Sequence, residues 1–164
     1  MPTVSVIIPT YNRAAVLTRA IDSVLTQSYD DFEVLVVDDC STDDTAAVVQ
    51  EYDDDRIRYI CHDENQGACA ARNTGIGHID GQYVAFLDSD DVWDEKKLVK
   101  QVECMENTSE NVGVVYTGYR VQQSNGMEVG QVPTKRGDIY KDLLAKNCVS
   151  PTSAVMVDCQ CFKT

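Results

Sequence analysis

The sequence predicts an α/β fold, a mostly parallel sheet flanked by helices on both faces, with a hairpin near 112–132. Three observations carry this. Short β-branched apolar runs alternate with stretches whose apolar residues recur at helical spacing. Four such strand–helix units succeed one another over residues 4–105, the pattern of crossover connections in a parallel sheet. The strand runs are close to continuously apolar, as expected of strands covered on both faces.

Val4–Ile8 is the first strand, closed by Pro9, and Leu17, Ala20, Ile21, Val24 and Leu25 make residues 13–27 an amphipathic helix. Glu33–Val37 is a second buried strand. Ser41-Thr42-Asp43-Asp44 has the look of a capping box for a helix running to about Tyr52. Ile57–Ile60 is a third strand, residues 67–77 a helix rich in small residues, and Tyr83–Leu87 a fourth strand. Asp94 is the expected cap of a helix that carries Leu98, Val99, Val102 and Met105 on one face. Beyond residue 111 the rhythm changes. Residues 112–122 and 127–132 flank Ser124-Asn125-Gly126, a hairpin turn, and are expected to continue the same sheet. A helix over 137–146 and a last strand over 152–157 complete the reading.

With 43 % hydrophobic and 25 % charged residues, the chain has enough apolar material for a core and is not disordered. Fourteen Lys and Arg against 27 Asp and Glu give a net charge of −13, which repels phosphate backbones and excludes general nucleic-acid binding. No apolar stretch approaches the roughly 20 residues of a transmembrane helix. Seven scattered cysteines lack the paired spacing of a zinc site, and are expected to be reduced, buried thiols of a cytoplasmic protein.

In open parallel sheets ligands bind beyond the carboxyl ends of the strands. Those ends carry Pro9-Thr10-Tyr11-Asn12-Arg13, Asp38-Asp39-Cys40-Ser41 and Asp88-Ser89-Asp90-Asp91. Five carboxylates closing two buried strands are not there for packing. Helix capping is one alternative for Asp38 and Asp39, and a solvated turn for 88–91. A divalent cation held by one or two carboxylates and phosphate oxygens is the functional reading, and it reconciles an acidic cleft with an anionic nucleotide. Arg72, on the small-residue helix, is either solvated or a positive charge beside that nucleotide. Neither a dinucleotide-binding glycine fingerprint nor a GxxxxGK[ST] phosphate loop is present.

Four segments, in order and at matching spacing, resemble the family-2 glycosyltransferases of GT-A, Rossmann-like fold. They are Ser5–Asn12, Val36–Asp43, Asn65–Gly67 with Ala71–Gly75, and Phe86–Asp91, with weaker similarity from Ser150 onward. The resemblance implies a nucleoside-diphosphate sugar as donor, a UDP-sugar being favoured, and Mn2+ or Mg2+ as cofactor. By position it implies donor contacts from Pro9, Thr10, Tyr11, Asp39, Arg72, Asp88 and Ser89, with Thr10 and Asp39 near the base. Asp90, with Asp88, would hold the metal. The reaction implied is inverting transfer to an acceptor hydroxyl of a saccharide or a lipid-linked acceptor, in polysaccharide biosynthesis, at the inner face of the membrane. Its general base is expected beyond Thr164, which makes residues 1–164 a single donor-binding domain cut short at the C-terminus. A module that binds nucleotide sugar without catalysis is the alternative. A receiver-type signalling domain, which also pairs such carboxylates around Mg2+, fits less well: Asp39 and Asp88 are 49 residues apart, yet Lys135 precedes Arg136 and not proline.

Overall fold

The computed structural model describes residues 1–107, 112–122, 126, 128–149 and 151–162. Its elements are β1 (Val4–Thr10), α1 (Ala14–Leu25), β2 (Phe32–Asp38), α2 (Thr45–Gln50), β3 (Ile57–Cys61), α3 (Ala68–Ile76), β4 (Tyr83–Phe86), α4 (Lys97–Glu106), β5 (Val114–Tyr116), β6 (Tyr119–Gln122), β7 (Glu128–Gln131), α5 (Tyr140–Ala145) and β8 (Val155–Asp158). Six strands form one sheet in the order β3-β2-β1-β4-β8-β5. The first four are parallel, and β8 runs antiparallel to both its neighbours.

β1 and β2 are buried along their whole length, and their alternate residues face two different cores, as the two-residue period of a strand requires. Val4, Val6, Ile8, Val34 and Val36 pack with Leu17, Ile21 and Val24 of α1, Val49 of α2, and Leu98 and Val102 of α4. Ile7, Leu35 and Val37 face the other way, onto Ala71 of α3. Pro9 is tolerated in this central strand because β1 pairs with β4 only as far as Ile7. Ile7 O faces β4, where it accepts Leu87 N–H, so the N–H that Pro9 lacks would fall past the end of that pairing.

Of the small residues on α3, Ala71 and Gly75 are the buried ones, while Ala68 is exposed at the helix start. A Cβ added at Gly75 would lie 2.6 Å from Ile7 Cγ2. Gly75→Ala is therefore expected to destabilise the fold: overpacking costs about 1–3 kcal/mol, of which better helix propensity returns up to ~1 kcal/mol. Urea denaturation reads the result, and an unchanged midpoint would show that α3 can back away from the sheet.

Several expectations are corrected. The second helix starts at Thr45, and its N-cap residue Asp44 makes no side-chain cap bond. Ser41 instead accepts Asn12 N–H at 2.8 Å, while Asp43 meets both helix starts, its Oδ1 accepting Thr45 N–H at 3.1 Å and its Oδ2 accepting Ala14 N–H of α1 at 3.0 Å. The span 112–122 is two strands in different sheets, and β6 with β7 forms a separate two-stranded sheet. Both its strands are largely exposed, so no buried face ties them to the main sheet. Ser124, Asn125, Met127, Ser150 and Thr164 lie outside the described residues. The last strand starts at Val155, after a 3-10 turn over Thr152–Ala154. All seven cysteines are free, but none is buried; Cys69 and Cys104, for instance, sit on the exposed sides of α3 and α4.

Two further buried polar groups have structural partners. Glu33, 6 % exposed, accepts Ser5 Oγ–H, Asp80 N–H and Arg58 Nη1–H. Lys97 places its Nζ 3.9 Å over the Trp93 ring and donates to Gln101 Oε1. Burial pulls the Lys97 pKa down to about 7.

Candidate active site

The chain runs outward from β1 through β2 to β3, then crosses back to β4 on the other side of β1. Strand order reverses there, the place where open α/β sheets hold their ligands. A cleft of about 410 Å3 opens at this point, beyond the strand ends, within the ~300–1,000 Å3 of small-molecule sites. Pro9 and Thr10 at the end of β1 line it with Tyr11 and Arg13 just beyond, as do Asp39 after β2 and Asp88, Ser89 and Asp90 after β4. Gly67, Ala68, Ala71 and Arg72 form the wall contributed by α3, with Asn65 before it. The site residues expected from the sequence thus come together in one cleft. Asp38 does not: it is buried beneath, held by Tyr59 Oη–H and by the N–H and hydroxyl of Ser41. Asp91 is likewise absent from the lining.

Asp39 is 2 % exposed. Its Oδ1 accepts Gln66 N–H at 2.9 Å and His62 Nδ1–H at 2.8 Å, and its Oδ2 accepts Gly67 N–H at 2.7 Å. Burial by itself pushes its pKa up, but the hydrogen bonds from Gln66, His62 and Gly67 outweigh it and hold the carboxyl below its ordinary value of 3.8. His62 Nε2 in turn meets Thr74 Oγ1 of α3 at 2.8 Å. The carboxylate therefore ties the end of β2 to the loop that starts α3 and fixes where Arg72 stands.

Arg72 Nη2 donates to Asp88 Oδ1 at 2.6 Å. On the far side, Arg13 Nη2 lies 3.8 Å from Asp90 Oδ2. Two buried side-chain atoms here, Thr10 Oγ1 and Arg72 Nε, lack a hydrogen-bond partner among the described residues. Buried polar atoms are rarely left so, and both of these residues line the cleft.

The supporting roles of several residues escaped the sequence reading. Asn12 (φ 51°) and Cys40 (φ 66°) adopt left-handed backbone conformations at the turns after β1 and β2, which Asn tolerates and Cys seldom does. Asn12 Oδ1 accepts Thr42 N–H at 2.8 Å and joins those turns. His62 carried no signal, since nothing in its neighbourhood points 23 residues back to Asp39. Ser153 touches Asp88 and Asp91 from the far end of the chain.

Asp88 and Asp90 offer carboxylate oxygens, the donors that Mg2+ and Mn2+ prefer. Among the described residues, no three His, Cys, Asp or Glu side chains are grouped to enclose a cation alone. A cation here would complete its shell from ligand oxygens and water, as Mg2+ commonly does beside phosphates. Three carboxylates against two guanidinium groups line the cleft, a balance that admits an anionic diphosphate best with a cation alongside. The residues fit the group.

A mostly parallel sheet flanked by helices, with an acidic turn at its switch point, is an α/β architecture of the GT-A class. The chain belongs to glycosyl transferase family 2, whose family model matches residues 5–159. It is 39 % identical over 159 residues to TuaG of Bacillus subtilis (strain 168), assigned as a glycosyltransferase of teichuronic acid biosynthesis, covering 96 % of this chain and 62 % of that one. It is 37 % identical to the UDP-Glc:alpha-D-GlcNAc-diphosphoundecaprenol beta-1,3-glucosyltransferase WfgD of Escherichia coli, covering 94 % and 60 %. The chain thus spans about three fifths of the length of these relatives. Among solved structures, S. aureus TarS 1-349 in complex with UDP-GlcNAc matches with a TM-score of 0.80 at 27 % identity, over 98 % of this chain and 46 % of that one. The mannosyltransferase PcManGT from Pyrobaculum calidifontis, in complex with GDP-Man and Mn2+, matches with a TM-score of 0.65 at 32 % identity, over 71 % and 35 %.

Proposed function

We propose that this chain carries the donor site of a glycosyltransferase that binds a nucleoside-diphosphate sugar with Mn2+ or Mg2+ and passes the sugar, with inversion, to an acceptor hydroxyl. The observation that carries it is the Arg72–Asp88 pair, with Asp90 and Arg13 beside it and the unpartnered Thr10 Oγ1 and Arg72 Nε on residues that line the same cleft. Thr10, Tyr11 and Asp39 hold the base side of the nucleotide; Arg72, Asp88 and Ser89 hold its ribose and diphosphate. Asp90 and Asp88 are the cation's protein ligands. A bound cation would neutralise the charge that develops on the departing diphosphate. In the transfer, the acceptor oxygen bonds to the anomeric carbon as the bond to the diphosphate oxygen breaks and that oxygen keeps the electron pair. Asp39 already accepts three hydrogen bonds and is assigned to the nucleotide's base side, Asp88 is paired with Arg72, Asp91 lies outside the lining, and Asp90 is given to the cation. Removal of the acceptor's proton therefore falls to a group other than these four.

The names of WfgD and of the TarS complex support a UDP-sugar as donor and a lipid-linked acceptor, which would place the work at a membrane face. No helix among the described residues is long and apolar enough to cross a membrane. Calorimetry with UDP, GDP and UDP-sugars, with and without Mn2+, tests the reading. Binding that tightens with Mn2+ is expected. Absence of binding to every nucleotide, with or without metal, would refute it.

A further inference from the structure

Behind the acidic turn, one hydroxyl joins its two ends. Ser153 Oγ accepts Asp88 N–H at 3.0 Å and donates to Asp91 Oδ2 at 2.6 Å. Its carbonyl accepts Trp93 Nε1–H at 2.8 Å. A serine hydroxyl has one proton and two lone pairs, so giving the proton to Asp91 leaves a lone pair for the Asp88 amide. Ser153 is 6 % exposed and sits on the 3-10 turn before β8. That turn is itself held: Ala154 O accepts Gln101 Nε2–H and Thr117 N–H, both at 3.1 Å, and Gln101 is 1 % exposed. Asp91 is drawn towards this support, while Asp88, Ser89 and Asp90 face the cleft.

We infer that Ser153 is a positioning residue for the donor site, setting the turn that presents Asp88 and Asp90, and that Asp91 acts as its acceptor and not as a cation ligand. The inference rests on the proposed donor site. Binding groups have to be held within roughly 0.5 Å of their working geometry by a supporting layer; besides Ser153, the turn is tied by its own Asp91 N–H to Asp88 O hydrogen bond at 2.9 Å, by Arg72 on Asp88, and by Arg13 at 3.8 Å from Asp90.

Titrations of UDP and GDP with and without Mn2+, on the parent chain and on Ser153→Ala, Asp91→Ala and Asp91→Asn, test it. Ser153→Ala and Asp91→Ala are each expected to lose tenfold or more of the affinity gained from Mn2+, with a smaller loss of metal-free affinity through the displaced Asp88. The double variant should be no weaker than either single one. Asp91→Asn should behave like the parent, because its amide oxygen still accepts the Ser153 proton. A Ser153→Ala chain with parental Mn2+-linked binding would overturn the inference. So would an Asp91→Asn chain that falls as far as Asp91→Ala, since Asp91 would then act through its charge. If Ser153→Ala does not fold, the two Asp91 variants decide. No Mn2+-linked binding in the parent chain would overturn the cation's place in the functional reading, and the inference with it, whereas no nucleotide binding at all would overturn the whole reading.

Discussion

Replacing Asp90 with alanine is expected to abolish the Mn2+ dependence of nucleotide binding without disturbing the fold. The side chain is 56 % exposed, and its ion pair with Arg13 is long, at 3.8 Å. Surface pairs of this kind contribute about 0–1 kcal/mol, so the thermal midpoint should scarcely move. The effect on binding is of another order. Removing a residue that only supports a metal ligand typically costs ~10–100-fold in metal affinity, and loss of a ligand itself should cost more. Calorimetry of UDP and GDP across a Mn2+ series reads this directly. A variant that keeps the parent's metal dependence would show that Asp90 is not a cation ligand.

The second large effect is expected at Asp39, and it is double. Asp39→Ala strips the partner from Gln66 N–H, Gly67 N–H and His62. Hydrogen bonds to a charged group contribute about 1.5–3 kcal/mol each, so a loss on the order of 3 kcal/mol of unfolding free energy is expected even with partial relaxation. Nucleotide affinity without metal should fall tenfold or more, because the Gly67 end of α3 lines the cleft and Asp39 is assigned to the base side. Acid behaviour supplies an independent check. The folded-state pKa lies below the ordinary 3.8, so the stability contributed by Asp39 is complete above that value and drains away as pH falls through the folded one. Asp39→Asn removes this titration and should flatten the decline in stability below about pH 4. Parental stability and a parental acid slope in these variants would mean that the buried network contributes nothing.

Much of the fold was legible because the signals are local. The apolar runs at Val4–Ile8, Glu33–Val37 and Tyr83–Leu87 each fall on a strand, and the spacing of Leu17, Ile21 and Val24 falls on a helix face that is buried. Where tertiary partners competed, local chemistry misled. Ser41 and Asp43 have the pattern of a capping box, yet Ser41 satisfies Asn12 N–H, and Asp43, besides Thr45 N–H, satisfies Ala14 N–H at the start of α1, each about 30 residues away in sequence. Leu98 N–H, at the start of α4, is likewise met by Gln27 Oε1 from just beyond α1. The continuous run 112–122 read as one strand because nothing local marks that β5 pairs with β8 while β6 pairs with β7.

The sequence by itself determined that this is a parallel α/β domain with carboxylates and an arginine crowded at the ends of its strands, and its four ordered segments were enough to point to the family. A strand-end position follows from a run of apolar residues, which the chain states locally. Only the tertiary structure decided which of those carboxylates faces the cleft. Asp38 and Asp39 are neighbours in sequence, but one is closed off by Tyr59 and Ser41 while the other reaches the cleft and binds His62. Asp90 and Asp91 divide in the same way, because Ser153, more than 60 residues later, holds the second of them. Successive residues at a strand end point in different directions, and what meets each one is set by chain segments brought alongside through burial of the two cores, which no local pattern records.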